Sequence, residues 1–312
     1  MERSRAARLG HSGGLIVMAT LASSVASPLT RTSGRVRRRE VIDGLATAVM
    51  TLCAAAAVLV LVLILIFVTI NGLPALNLAF FTERPLPQGE AGGGVAPAIL
   101  GTVEMLVVAA LIGVPLGMAT AIYLAEYGRG RFATLVSFLI DLIAGLPSIV
   151  IGVFVWAWMV RHVVGHYNGL AGGVALAIIM IPIVTRTVEE TLRLVPDPLR
   201  EASLGLGIPR WKTILKVVLP TARAGIITGV VLSIARAGGE TAPLLLTSLG
   251  NQFFQVDLLQ PIAALPVQIY NYARSPYEDW QIKAWGAALI LILLIGSLSL
   301  LSRWAANRRP GR

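Results

Sequence analysis

The sequence predicts an all-α membrane protein with six transmembrane helices. Three observations lead there. Only 13% of the 312 residues are charged while 56% are hydrophobic, where a soluble domain carries about 25% charged residues. Long uncharged runs recur at lengths suited to a hydrocarbon core of about 30 Å. Basic residues gather on one side of the topology those runs imply.

Residues 1–43 are expected to form a basic, disordered tail. Arg3, Arg5 and Arg8 precede an apolar stretch, Leu15 to Ala26, that loosely resembles a signal peptide. Ser and Thr interrupt that stretch, and Arg35, Arg37, Arg38 and Arg39 follow it. The membrane domain then occupies 44–305. Span one, Gly44 to Ile70, carries no charge. Span two, Pro97 to Ala125, carries only Glu104, and span three, Phe132 to Val160, only Asp141. Span four is short, Leu170 to Val184, and contains Gly172, Gly173 and Pro182; uncharged Tyr167 and Asn168 extend it upstream. Span five, Ala224 to Gly250, carries Arg236 and Glu240, and span six, Ala284 to Ser302, carries none. Inside lipid the backbone must satisfy its own hydrogen bonds, so each run is expected to be helical. Residues 306–312 form a short tail.

Six spans put both termini on one side. With the N-terminus inside, the inner segments hold twenty-one Lys and Arg, and the outer loops hold four: Arg84, Arg161, Arg274 and Lys283. That bias predicts both termini in the cytoplasm and accounts for the net charge of +10 without a nucleic-acid partner. Trp156 and Trp158 fall near the outer end of span three. Trp280 and Trp285 flank the outer end of span six and Trp304 its inner end, as interfacial indoles prefer. The lone Cys53 can form no internal disulfide and is expected to pack. No Cys/His cluster has metal-ligand spacing. No nucleophile–base pair is visible, so no catalytic residue is expected.

The inner connection from Arg186 to Arg223 carries signals of its own, concentrated in 196–220. Asp197-Pro198 is a helix start, because Asp can cap free N–H groups and Pro costs no bond in a first turn. Gly207 is a stop, since Gly accepts a left-handed cap. Pro209 can open a further helix, which Pro220 ends or kinks. A helix over Pro198 to Leu206 is expected. The run Glu201-Ala202-Ser203-Leu204-Gly205-Leu206-Gly207, followed after nine residues by Val217-Val218-Leu219-Pro220, resembles the EAA motif of ABC importer permeases. Ser203 replaces the second Ala and Val217 an Ile. The resemblance implies a cytoplasmic coupling helix seated on a separate ATPase subunit, with Glu201, Ala202, Ser203 and Gly207 carrying the contact. Small side chains at Ala202 and Ser203 would allow close approach. No phosphate-binding loop of the Walker type occurs here, so ATP and Mg would be bound by that partner, and no cofactor by this chain. The plainer alternative is an ordinary capped loop.

In span five, Arg236 and Glu240 lie four residues apart, on one helix face. Centring the span on 224–250 puts Arg236 near mid-bilayer, where a charge normally faces a bundle interior or water. Its planar fork suits an oxyanion, and Gly238 and Gly239 allow close approach there. The alternative is a structural ion pair, and both roles can hold together. Glu104 could pair with Arg236 or line the same path. Asp141 lies nearer the inner side, where pairing across helices is expected. Glu126 reads as a solvated interfacial anchor beside Tyr123 and Tyr127.

A wider resemblance covers residues 45–305. Gly145-Leu146-Pro147-Ser148-Ile149-Val150, Ile181-Pro182-Ile183-Val184-Thr185-Arg186-Thr187, Arg236 to Pro243, and Leu265-Pro266-Val267-Gln268-Ile269-Tyr270 are similar to segments of the PstA-type permeases of phosphate ABC importers. The resemblance implies a type I importer permease of MetI-like fold in a bacterial inner membrane. It also implies a PstC-like permease partner, a PstB-like ATPase dimer below, and a PstS-like phosphate-binding protein above. Arg236 and Glu240 carry over as translocation-path residues. Two other readings stay open: an importer permease for another solute such as molybdate, an amino acid or a sugar, and a secondary transporter. The latter would carry inverted repeats, and none is visible.

Overall fold

A computed structural model describes residues 34–87, 90 and 92–307. The described residues form helices, short turns and loops, with no strand among them. The chain divides after Leu65 into two units.

In the first unit the described residues, 34–65, belong to α1 (Gly34–Gly72). The helix starts well before the span expected from Gly44; the first 33 residues of the expected tail lie outside the described residues. From Leu45 onward α1 is apolar on every side, a pattern suited to lipid rather than to a half-solvated surface. Cys53 is exposed rather than packed within this chain.

The second unit begins at Ile66. α2 (Leu78–Thr82) is capped by Asn77, whose side chain accepts from the Phe80 N–H at 2.8 Å. α3 (Ala96–Tyr127) ends in a π-helical turn, Tyr123–Tyr127. α4 (Gly130–Gly145) and α5 (Ser148–Val164) follow, then α6 (Gly169–Arg193) and the short α7 (Asp197–Gly205). After them come α8 (Arg210–Gly238), α9 (Ala242–Thr247), α10 (Leu265–Ala273) and α11 (Glu278–Asn307). Below, the end of the bundle bearing α7 is the basic end, and that bearing α9 and α10 the far end.

The centre is the pair α3 and α6, which make the most extensive helix contact. Of the most apolar stretch of α6, 67% is buried, more than in any other candidate span. Glycines let the two backbones meet: a Cβ added at Gly117 would lie 2.8 Å from the Val184 Cβ, and one at Gly173 would lie 2.5 Å from the Val108 Cγ1. Between helices in lipid, such small-residue seams gain van der Waals contact where no hydrophobic drive exists. Thr185 adds a hydroxyl bond to the Gly117 carbonyl at 3.2 Å.

Two spans depart from the straight helices expected. Span three is an elbow: α4 and α5 meet at 101° across Leu146-Pro147. The ring of Pro147 pushes Leu146 out of the helical region, to ψ 136. Among the described residues five helices are long and apolar enough to cross a membrane alone, and the count reaches six when the bent pair is one span. Span five starts earlier and stops sooner than expected. α8 runs up from Arg210 through a π-helical turn, Ile214–Val218, and resumes at Leu219. The helix passes through Pro220 without ending there, and the π-helical turn lies directly before it. α8 then ends at Gly238, and the chain unwinds before α9.

At the far end the loop after α9 closes over the start of α6. Asn168 N–H donates to the Thr247 carbonyl at 3.0 Å, Gly169 to Gln260 at 2.9 Å and Leu170 to Leu258 at 2.8 Å. These satisfy donors that a helix N-terminus otherwise leaves open. Tyr272 of α10 packs against Trp280, ring centroids 4.6 Å apart. Burial there pushes its phenol up to about 12.

Candidate functional site

The basic end presents α7 as a short stub. It runs one residue ahead of the predicted Pro198 to Leu206, with Pro196 at the cap position. Asp197 makes no capping bond; its carboxylate lies 3.2 Å from Arg200 instead. Gly207 closes the stub at φ +76, the left-handed conformation its position suggested. Its N–H donates to the Leu204 carbonyl at 2.9 Å, and that of Ile208 to Ser203 at 3.2 Å. Glu201, Ala202 and Gly207 are exposed, as are the apolar Leu204, Leu206 and Trp211. Ser203 differs from expectation. It is buried, with its Oγ 2.8 Å from Thr213 Oγ1, so it ties the stub to α8 rather than presenting a small surface to a partner.

A buried ionic knot roots this stub. Arg200 of α7 donates to Glu126 Oε1 from Nη2 at 2.8 Å and from Nε at 3.2 Å. The same guanidinium donates to the carbonyl of Leu192, in the last turn of α6, at 2.8 Å and to that of Val195, just beyond the helix. Arg210, the first residue of α8, donates to the backbone carbonyl of Glu126 and lies 5.1 Å from the centre of the Tyr127 ring. The Glu126 side chain is 5% exposed. It is therefore a paired, buried carboxylate and not the solvated anchor the sequence suggested. The π-helical turn brings it under α7, and no local pattern reveals a partner 74 residues away.

Between this knot and the bundle centre, Arg186 of α6 lies 2.6 Å from Asp141 of α4 and 2.8 Å from Glu189. It also donates to the Ser137 carbonyl at 2.9 Å. The cross-helix pairing expected of Asp141 is present, with Arg186 as the partner.

Deeper in, Arg236 and Glu240 bracket the unwound end of α8, with an N···O distance of 3.5 Å. They line a cavity of about 210 Å³ with Pro147 and Ser148 of the elbow and Ile179, Pro182 and Ile183 of α6. Those α6 residues are the middle turns of a helix spanning Gly169–Arg193, so the pair lies at mid-depth although it sits at a helix end. The Arg236 side chain is 65% exposed and that of Glu240 13%. The structure does not pair Glu104 with Arg236. Its Oε2 is buried with no hydrogen-bond partner among the described residues.

The chain is similar to known proteins over most of its length. The profile of the binding-protein-dependent transport system inner membrane components matches residues 113–309. The chain belongs to that family. Among curated proteins the permease is 45% identical over 268 residues to the phosphate transport system permease protein PstA of Xylella fastidiosa strain Temecula1, which covers 86% of this chain and 93% of that one. It is 47% identical over 233 residues to the PstA of Yersinia pestis, covering 74% and 79%. It is 43% identical over 230 residues to the PstA of Mycobacterium leprae, covering 72% and 76%. The permease therefore belongs to the PstA branch.

Solved structures give the fold. The permease matches a chain of the inward-facing MetNI methionine ABC transporter with a TM-score of 0.57 at 19% identity, covering 68% of this chain and 94% of that one. It matches a chain of the bacterial alginate ABC transporter with a TM-score of 0.62 at 14% identity, covering 88% and 98%. The MetI-like importer fold expected from the sequence is the fold observed.

Proposed function

We propose that the permease is one of two membrane chains of an ATP-driven importer of inorganic phosphate. The observation carrying this reading is the Arg236–Glu240 pair at the broken end of α8, in a chain whose relatives at 43–47% identity are named phosphate permeases. A guanidinium open on one side at mid-depth is unsuited to lipid and calls for water or a second chain. It lowers the desolvation cost of a passing dianion. Glu240 neutralises the guanidinium between passages and keeps it from trapping the anion. Glu104 belongs to the same proposed path, because its buried oxygen lacks a donor that a second chain or hydrated cargo would supply.

In this reading both termini and the basic end face the cytoplasm, in line with the Lys and Arg bias. A PstB-like ATPase dimer, binding ATP and Mg, meets α7 at Glu201, Ala202 and the exposed leucines, with Gly207 setting the turn. Ser203 acts from within by holding α7 to α8. A PstC-like permease completes the pore, and a PstS-like binding protein delivers phosphate to the far end. Closure of the ATPases displaces α7, and the bundle opens outward.

The test is co-purification from the native membrane, reconstitution into vesicles, and an ATPase assay with the cognate binding protein. Phosphate is expected to stimulate hydrolysis and radiolabelled phosphate to enter the vesicles. Stimulation by molybdate, an amino acid or a sugar, with none by phosphate, would assign the permease to another solute.

A further inference from the structure

We propose that Glu126 is a positioning residue for energy coupling: it clamps the stub α7 to the end of α3, and the clamp stays closed through the transport cycle. This deepens the importer reading and rests on it. Glu126 is where three spans converge at the basic end. Its carboxylate takes Arg200 of α7, and Arg200 in turn donates to the carbonyl of Leu192 in the last turn of α6 and to that of Val195 just beyond it. Its backbone carbonyl takes Arg210, where α8 starts. Opening the pair would leave a carboxylate that is 5% exposed without its cation, a costly state for a buried charge. A displaced α7 therefore takes the end of α3 with it. The α3–α6 seam packs closely at Gly117 and Gly173, and the Thr185 hydroxyl bond to the Gly117 carbonyl ties the two helices across it. Motion of the stub thus reaches the pair α3–α6 as a rigid body, and not α8 alone. The π-helical turn that carries Glu126 fits this role, because a regular helix end would aim the side chain elsewhere.

The experiment uses the assembled transporter with its ATPase, second permease and binding protein in vesicles. Radiolabelled phosphate imported and ATP hydrolysed are read from the same sample. Glu126→Gln is expected to retain hydrolysis while the phosphate moved per ATP falls on the order of tenfold, a typical coupling energy between sites. An unchanged ratio overturns the proposal, as does a parallel loss of hydrolysis and uptake from a complex that assembles normally. Where Glu126→Gln does not assemble, Glu126→Cys with Arg200→Cys in a Cys53→Ser background decides. Bridging the two cysteines with a short bifunctional thiol reagent is expected to restore the ratio that the unbridged form lacks. Uptake that stops on bridging shows that the clamp must open, and the proposal falls. If the unmodified transporter imports no phosphate, the importer reading fails instead, so the two failures are distinct.

Discussion

Arg186 of α6 holds Asp141 of α4 at 2.6 Å, yet the two carboxylates it serves differ in burial: Asp141 is 63% exposed and Glu189 only 7%. Substituting the two ends of the bridge therefore has unequal consequences. Asp141→Ala is expected to cost at most about 1 kcal/mol, as for exposed pairs. Arg186→Ala strips a buried carboxylate of one of its two cations and is expected to cost about 3 kcal/mol. Thermal unfolding of the detergent-solubilised permease measures both, and equal Tm shifts would contradict the assignment.

The guanidinium at the unwound end of α8 gives a second prediction. Arg236→Ala is expected to lower phosphate uptake about 10–100-fold, the rate equivalent of one lost charge-assisted bond of about 1.5–3 kcal/mol. Arg236→Lys keeps the charge without the planar fork and is expected to fall between. Membrane levels of both variants are compared by immunoblot. Wild-type uptake in the Ala variant removes Arg236 from the path.

How far these sites could be read from sequence follows from the range of each signal. Charge sparsity revealed the apolar runs because it is a property of single segments. The end of span five escaped it: hydropathy continues past Gly238 into α9, so the window ran on to Gly250. The start escaped for the opposite reason, since Arg210, Lys212, Lys216 and Arg223 look like loop residues while the helix passes through them. Pro147 was visible, but not the 101° turn it makes. Arg236–Glu240 was legible because four residues are one helix turn. Glu126 was not, because its cations arrive from α7 and α8.

A third prediction concerns the left-handed turn. Nothing lies within 4 Å of a Cβ built at Gly207, so only backbone strain opposes a side chain there. Gly207→Leu is expected to cost roughly 1–2 kcal/mol at the stub and to lose the co-purifying ATPase while the permease still inserts. Asn accepts this conformation, so Gly207→Asn is expected to keep much of the ATPase. Normal ATPase recovery with Leu would count against α7 as the docking element.

Crowding at the α3–α6 seam gives the fourth. Gly117→Val drives methyl groups against Val184 and the Ile181 carbonyl and is expected to destabilise by about 1–3 kcal/mol. Gly296→Ala, in α11 with nothing within 4 Å, is the control; it is expected to gain up to about 1 kcal/mol of helix propensity. Unfolding of the two variants by denaturant titration separates them.

Because α8 stops at Gly238, this span is a jointed strut and not a single rod. Thrust entering at Arg210 would spend itself beside the guanidinium, one joint short of the opposite rim. α9 and the loop after it are laced to the head of α6 instead, so both would follow α6 and not the strut. A visiting carrier protein would thus find a landing ground that travels with α6 and is mechanically separate from the end of the strut.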